Sequence, residues 1–135
     1  MPKHYIHILS NTHWDREWYM SHEKYLVRLV NLMDRLMDIM KDHYSEGGTV
    51  AAICAAPSVV LSLLPNIEGK KMTCYDGFEQ ALADKGAEYV KEGVVVDGNM
   101  ITGRGPGWAQ DFGLTILAHV KGQEIADKVK AGLML

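Results

Sequence analysis

Cys54 is the residue whose sequence surroundings are best suited to chemistry. It ends the small apolar run of residues 49–54 and is followed by two alanines and then by Pro57. A continuous apolar run predicts a strand buried on both faces, and proline suits the first turn of a helix. Cys54 is therefore predicted at a strand-to-helix elbow, at the carboxyl end of a strand, where open α/β sheets bind ligands.

This elbow favours a nucleophilic thiol. Unpaired N–H groups and the dipole at a helix N-terminus stabilise an anion, and therefore a thiolate. The backbone N–H groups of Cys54 and Ala55 are candidate donors to an oxyanion. The same pattern is typical of a buried core cysteine, and the local sequence alone leaves both interpretations open. Cys74 lies in or after a predicted strand with no such dipole, so it is predicted to be the less reactive thiol.

A strand, a loop and a long helix are predicted before the elbow. Residues 4–9 alternate weakly and predict the strand, residues 10–20 the loop, and Ser21 is the expected N-cap of a helix that runs to Tyr44. The apolar face of this helix is expected to pack against a sheet or several helices, with its methionines as core filler. Two adjacent stripes form the face: Leu26, Val30, Met33, Met37 and Met40, and Leu29, Leu32, Leu36 and Ile39.

Helices and strands alternate after the elbow as well. The patterns predict helices over residues 57–64, 77–85 and 108–120, a strand over 70–75, a hairpin of 89–96 with 100–102, and a last short helix or strand over 125–133. Asp97-Gly98 is the expected hairpin turn. The predicted fold class is α/β with a largely parallel sheet.

The composition fits one compact domain. The chain has 135 residues, of which 47% are hydrophobic and 23% charged, and its net charge is -3. That charge gives no electrostatic footprint for nucleic acid, and no apolar run is long enough to span a bilayer. The start of the chain has no apolar signal-peptide region, so the two cysteines are expected to be free thiols in a reducing cytoplasm.

The sequence AAICAAPSVVLSLL around Cys54 resembles the nucleophile elbow of the ThiJ/PfpI superfamily, in particular its Parkinson-associated deglycase branch. The resemblance continues through GKKMTCYDGFEQAL, GAEYVKEGVVVDGNMITGRGPGWAQDFGLTIL and GQEIADKVKAGLML, and so covers residues 49–135. It implies a flavodoxin-like three-layer sandwich, truncated here because the family has a longer segment before the elbow. It also implies a dimer with Cys54 as nucleophile, and glyoxalase or deglycase activity, stress-chaperone behaviour or, in other branches, peptidase or amidase activity.

The resemblance also suggests partners for the thiol. Ala55 stands where the peptidase branch has histidine, which favours the deglycase-like branch. Tyr75 stands where some members have a histidine, and a tyrosine donates hydrogen bonds but is a poor base at neutral pH. Members carry a glutamate after the first strand that hydrogen-bonds the cysteine. Glu17 is the expected equivalent, with His13 as the alternative base, provided that the first strand and residues 49–54 are parallel neighbours.

Residues 1–45 resemble the N-terminus of the family 38 glycoside hydrolases, the α-mannosidases, through YIHILSNTHWDREWYM and the helix after it. The resemblance makes His13 and Asp15 counterparts of two zinc ligands, although Asn11 stands where histidine is usual. A catalytic zinc needs three protein ligands, so the implied site is incomplete. A polar loop without metal is the alternative, and no other cofactor is expected.

The two resemblances predict a chimera with a mannosidase-like β-α segment over residues 1–48 and a ThiJ/PfpI-like part over residues 49–135, folded as one compact domain. The leading function is a cysteine protein acting on small reactive carbonyl or thiol-reactive substrates. It is expected to form homo-oligomers and to have no nucleic-acid or membrane partner. The alternatives are loss of activity through the missing N-terminal half, a fragment related to zinc-dependent α-mannosidases, and a folded chimera without catalysis.

Overall fold

The computed structural model of the chain describes residues 21–135. The strand predicted over residues 4–9, the loop over 10–20 and the candidate residues His13, Asp15 and Glu17 lie outside the described residues. Helix α1 spans His22–Ser45, which confirms the predicted long helix. The chain forms two compact units, and the boundary between them follows Arg35. Every strand of the described part belongs to the unit Leu36–Leu135.

Short strands and helices alternate after α1, which confirms the α/β class. In chain order they are β1 (Val50–Ile53), α2 (Ala56–Val59), a 3-10 helix (Leu61–Leu63), β2 (Lys71–Met72), α3 (Glu79–Ala83), β3 (Glu88–Tyr89), β4 (Val94–Asp97), β5 (Met100–Gly103), a second 3-10 helix (Pro106–Trp108), α4 (Ala109–Lys121) and α5 (Gln123–Gly132). No helix of the described part is long and apolar enough to cross a lipid bilayer.

Two small sheets contain the strands. The larger has the order β1-β5-β4, with β1 parallel and β4 antiparallel to β5, and the smaller pairs β2 with β3 in parallel. The expected burial of residues 49–54 on both faces is wrong, because Ala51 on one face of β1 is exposed. The central strand is β5, whose residues are all buried.

The helix expected over residues 57–64 is broken. Val60 has φ −120° and ψ −61°, which ends α2 and starts the 3-10 helix. The break buries Leu61 completely while Leu63 stays half exposed. A continuous helix would have placed these side chains at other angles around its axis.

The hairpin turn is one residue later than predicted. Asp97 pairs with Met100 as the last residue of β4, so Gly98 and Asn99 form the turn. Gly98 has φ +60°, as expected for glycine at the first central position of a type II′ turn. The Asp97 carboxylate accepts hydrogen bonds from the Lys71 N–H (2.9 Å) and from Lys70 Nζ (3.0 Å), which ties β4 to β2. These contacts keep Asp97 in the strand.

The core lies among β1, β2, β5 and the short helices. Its buried members include Val50, Leu61, Leu64, Ile67, Met72, Cys74, Leu82 and Met100. Met37 and Met40 of α1 pack against this core, which confirms the expected role for these two methionines. The apolar face of α1 is covered only in part, since Ile39 is 52% exposed. The Asn99 side chain donates to the carbonyl of Tyr44 (3.3 Å) at the end of α1.

Candidate functional site

Cys54 lies directly after β1, in the elbow between β1 and α2. Its φ of +70° is in the left-handed region, which residues with a Cβ rarely adopt. The Cys54 N–H donates to the Gly103 carbonyl at 2.9 Å, and the Cys54 carbonyl accepts from the Tyr75 N–H at 2.8 Å. Strained residues of this kind persist where neighbours fix them, and they concentrate at active sites. The position of Cys54 between β1 and α2 is the predicted elbow, and the residue is partly exposed there.

The hydrogen bond to Gly103 corrects one expectation. The Cys54 N–H is already committed to the Gly103 carbonyl, so its predicted role as an oxyanion donor is wrong. The Ala55 N–H makes no hydrogen bond with another residue of the part of the chain that the structure describes, and it remains the candidate donor. Helix α2 is one turn long and lacks a side-chain cap, so the dipole invoked for the thiolate is that of a single turn.

Tyr75 reaches the elbow through its backbone. It follows β2, its N–H binds the Cys54 carbonyl, and its side chain is 47% exposed. The ring lies against Gly105, where an added Cβ would be 3.4 Å from ring Cδ2. The structure thus brings Cys54, Ala55 and Tyr75 together. Among residues 21–135, no group of three or more His, Cys, Asp or Glu side chains is arranged to hold a metal.

An ion pair that the sequence did not suggest lies beside the elbow. Arg104 donates from Nε to Asp76 Oδ1 at 2.8 Å and from Nη2 to Asp76 Oδ2 at 2.7 Å, and this hydrogen bonding raises the pKa of Arg104. Arg104 is not among the candidate residues that the sequence suggests. The sequence signal was an arginine shortly after a predicted strand. The fold adds the register, which pairs Ile53 with Gly103 and puts Arg104 level with Cys54.

The second thiol has the opposite surroundings. Cys74 is completely buried, and desolvation raises its pKa, with the hydroxyl of Ser58 acting in the other direction. The residue before it is also fixed, since the Thr73 N–H donates to Thr102 Oγ1 at 3.0 Å. A thiol that is buried and kept protonated is a poor nucleophile.

Comparison with known proteins identifies the class of protein. Residues 27–119 match the DJ-1/PfpI family, which is more than half of the chain, and the chain belongs to that family. Protein DJ-1 homolog A of Arabidopsis thaliana is 39% identical over 100 residues, covering 74% of this chain and 26% of that protein. Protein dj-1beta of Drosophila melanogaster is 39% identical over 98 residues, covering 73% of this chain and 52% of that protein.

The fold agrees with this assignment. The crystal structure of Drosophila melanogaster DJ-1beta superposes with a TM-score of 0.70 at 38% identity, covering 78% of this chain and 57% of that one. The flavodoxin-like α/β class is confirmed, truncated relative to that structure. The chain spans from about a quarter to about half of the length of these curated relatives. The family match begins at residue 27, within α1. The α-mannosidase resemblance and the chimeric origin stay predictions.

Two relatives carry names that describe an activity. A protein of Caenorhabditis elegans named glutathione-independent glyoxalase is 31% identical over 98 residues, covering 73% of this chain and 52% of that protein. A protein of Pyrococcus abyssi named deglycase is 34% identical over 87 residues, covering 62% of this chain and 52% of that protein.

Proposed function

We propose that this chain is a cysteine-nucleophile protein of the glyoxalase or deglycase type, acting on small reactive carbonyl compounds. The observation that carries the proposal is the left-handed, partly exposed Cys54, whose backbone is held by Gly103 and Tyr75. The names of the nematode and archaeal relatives support the substrate class.

The chemistry begins with attack of the Cys54 thiolate on a carbonyl carbon. A sulfur–carbon bond forms, the π electrons of the carbonyl move to its oxygen, and a proton converts that oxygen to a hydroxyl, which gives a hemithioacetal. The Ala55 N–H is the proposed donor to the developing oxyanion. We assign proton transfer to Glu17, with His13 as the alternative base, and a hydrogen bond to the substrate to the Tyr75 hydroxyl.

Consumption of methylglyoxal by the purified chain tests the proposal. We expect Cys54→Ser to lower the rate to that of protein-free buffer, because the hydroxyl is a much weaker nucleophile than the thiolate. Cys74→Ala is the matched control and is expected to keep the rate. Equal consumption by wild type and Cys54→Ser would remove Cys54 from the reaction. No consumption by wild type would favour a thiol that has lost catalysis and remains only redox-sensitive.

We further propose that the chain forms homo-oligomers in the cytoplasm. Within residues 21–135 the larger sheet has three strands, and a sheet edge that stays without a partner in the whole protein would be a site of association. The exposed side chains of Val30, Leu32 and Ile39 add apolar area. Both cysteines are free, which fits a reducing compartment. A monodisperse monomer in light scattering at high concentration would contradict self-association.

Zinc binding at His13 and Asp15 remains a separate prediction, because both residues lie outside the described part of the chain. The incomplete ligand set predicts weak binding and no α-mannosidase turnover. Zinc-dependent hydrolysis of an α-mannoside that His13→Ala abolishes would overturn this prediction.

A further inference from the structure

The backbone of Cys54 belongs to a closed ring of contacts. Gly103 at the end of β5 accepts its N–H, and Tyr75 after β2 donates to its carbonyl. The next residue on each side is Arg104 and Asp76, and these two are joined by the bidentate ion pair. The ion pair therefore closes the ring.

Further contacts hold the Arg104 segment and the Tyr75 segment in place. The Arg104 N–H donates to the Gly93 carbonyl at 2.9 Å, so the backbone of Arg104 is anchored to the segment before β4. In the Tyr75 segment, the aromatic side chain lies against Gly105. Asp76 directly follows Tyr75, whose N–H donates to the Cys54 carbonyl, so one residue separates the ion pair from this contact with the elbow.

The ion pair is partly exposed to solvent. The side chains of Arg104 and Asp76 are 24% and 58% exposed, so solvent partly screens the pair and limits what its charges contribute to the free energy of unfolding. The bidentate geometry, in contrast, fixes both distance and orientation between two planar groups. Such geometry suits the positioning of a loop.

We propose that the Arg104–Asp76 pair is a positioning device for Cys54: it holds the Tyr75 segment against the elbow and so sets the reactivity of the thiol. This inference rests on the proposed role of Cys54 as nucleophile. Neither side chain is assigned a contact with the reacting atoms, so both are positioning residues.

Four single variants of the full chain separate positioning from a simple charge effect. Arg104→Gln removes the positive charge, Asp76→Asn removes the negative charge, and Arg104→Lys keeps the charge but loses the planar fork. Lys128→Gln is the control, because it breaks an ion pair with Glu124 on α5 in which both side chains are exposed. The readout is the rate constant for alkylation of Cys54 by iodoacetamide, resolved by mass from Cys74, from about pH 5 to about pH 9.

We expect Arg104→Gln, Asp76→Asn and Arg104→Lys all to slow alkylation of Cys54 by about threefold or more and to alter its pH profile, because each loosens the same ring. The control variant should follow the wild-type profile. Thermal unfolding midpoints within about 2 °C of wild type would show that the variants fold. If a variant fails that test, the charge-reversed double variant Arg104→Asp with Asp76→Arg takes its place and is expected to recover part of the lost rate.

Opposite effects of Arg104→Gln and Asp76→Asn would overturn the proposal, because they would show an electrostatic effect on the thiolate without positioning. Profiles identical to wild type in all three variants would also overturn it. Alkylation does not require turnover, so the proposed function is judged separately. If wild type fails to consume methylglyoxal while the variants show the expected pattern, the positioning role stands and the proposed activity does not.

Discussion

The two cysteines of this chain lie in neighbouring segments with opposite properties. Cys54 is partly exposed with φ +70°, whereas Cys74 is completely buried in the core. One hydrogen bond, from the Tyr75 N–H to the Cys54 carbonyl, connects the segments. Residue type therefore does not decide which thiol is available for chemistry. Backbone conformation and burial decide it.

Cys54 has a strained backbone conformation, whereas Cys74 is packed in the core. A left-handed residue with a Cβ costs about 1–2 kcal/mol, and the hydrogen bonds of Gly103 and Tyr75 hold Cys54 in that conformation. Cys74 contributes to stability instead, since its thiol fills core space beside Ser58. Substitutions at and around the two sites should therefore have different effects.

The largest effect is expected for Gly103→Ala. A Cβ at Gly103 would lie 2.9 Å from both Ile53 Cγ1 and Phe112 Cδ2, and overpacking of this kind costs about 1–3 kcal/mol. Movement of the backbone to relieve this clash should also disturb the Gly103 carbonyl, which accepts the hydrogen bond from Cys54. The alkylation rate of Cys54 should therefore change, while Cys74 stays protected. Gly107→Ala is the control, because a Cβ there meets nothing within 4 Å. Urea unfolding of both variants measures the difference, and equal losses would contradict the crowding at Gly103.

Substitutions of the two cysteines should change stability for different reasons. Cys74→Ala is expected to lower the free energy of unfolding by about 1 kcal/mol, because it removes a fully buried side chain. Cys54→Gly is expected to be more stable than Cys54→Ala by about 1 kcal/mol, because glycine adopts positive φ without a Cβ penalty. Urea unfolding again provides the measurement. If the Cys54 variants were equally stable, the elbow would carry no backbone strain.

A smaller effect is expected in alkaline solution. Burial raises the pKa of Cys74, so the unfolded chain loses this proton at a lower pH than the folded chain. The resulting contribution to stability is full below the ordinary thiol pKa and is lost as pH rises through the raised pKa of the folded state. Unfolding free energies measured above about pH 9 should therefore decline less steeply in Cys74→Ala than in wild type. Identical slopes would show that Cys74 does not ionise differently in the two states.

Much of the fold is predictable from local sequence. The apolar periodicity of α1, the alternation of strands and helices, and the small residues around Cys54 are local signals, and each led to the right element. Predictions from local sequence failed where contacts between residues far apart in the chain determine the local structure. Asp97 stays in β4 because Lys70 and Lys71 bind its carboxylate, and the bend at Val60 buries Leu61 in a core built by other elements.

In the candidate site, too, the local element is predictable from the sequence and its long-range contacts are not. The elbow follows from residues 49–57, but the partner of its N–H is the Gly103 carbonyl, almost fifty residues along the chain. The Arg104–Asp76 pair is equally non-local. Its only sequence signal was an arginine after a strand parallel to β1, and that strand pairing is visible only in the fold. The proposed roles of His13, Asp15 and Glu17 stay predictions.

The most direct test of Cys54 as the reactive thiol is mass-resolved alkylation of the wild-type chain with iodoacetamide at mildly acidic pH. The structure predicts that Cys54 is labelled first, since its residue is partly exposed at the elbow, and that Cys74 is labelled only when the protein opens. Denaturation in urea should remove the difference, which controls for intrinsic reactivity. Faster labelling of Cys74 in the folded protein, or equal labelling of both thiols, would contradict the assignment of Cys54 as nucleophile.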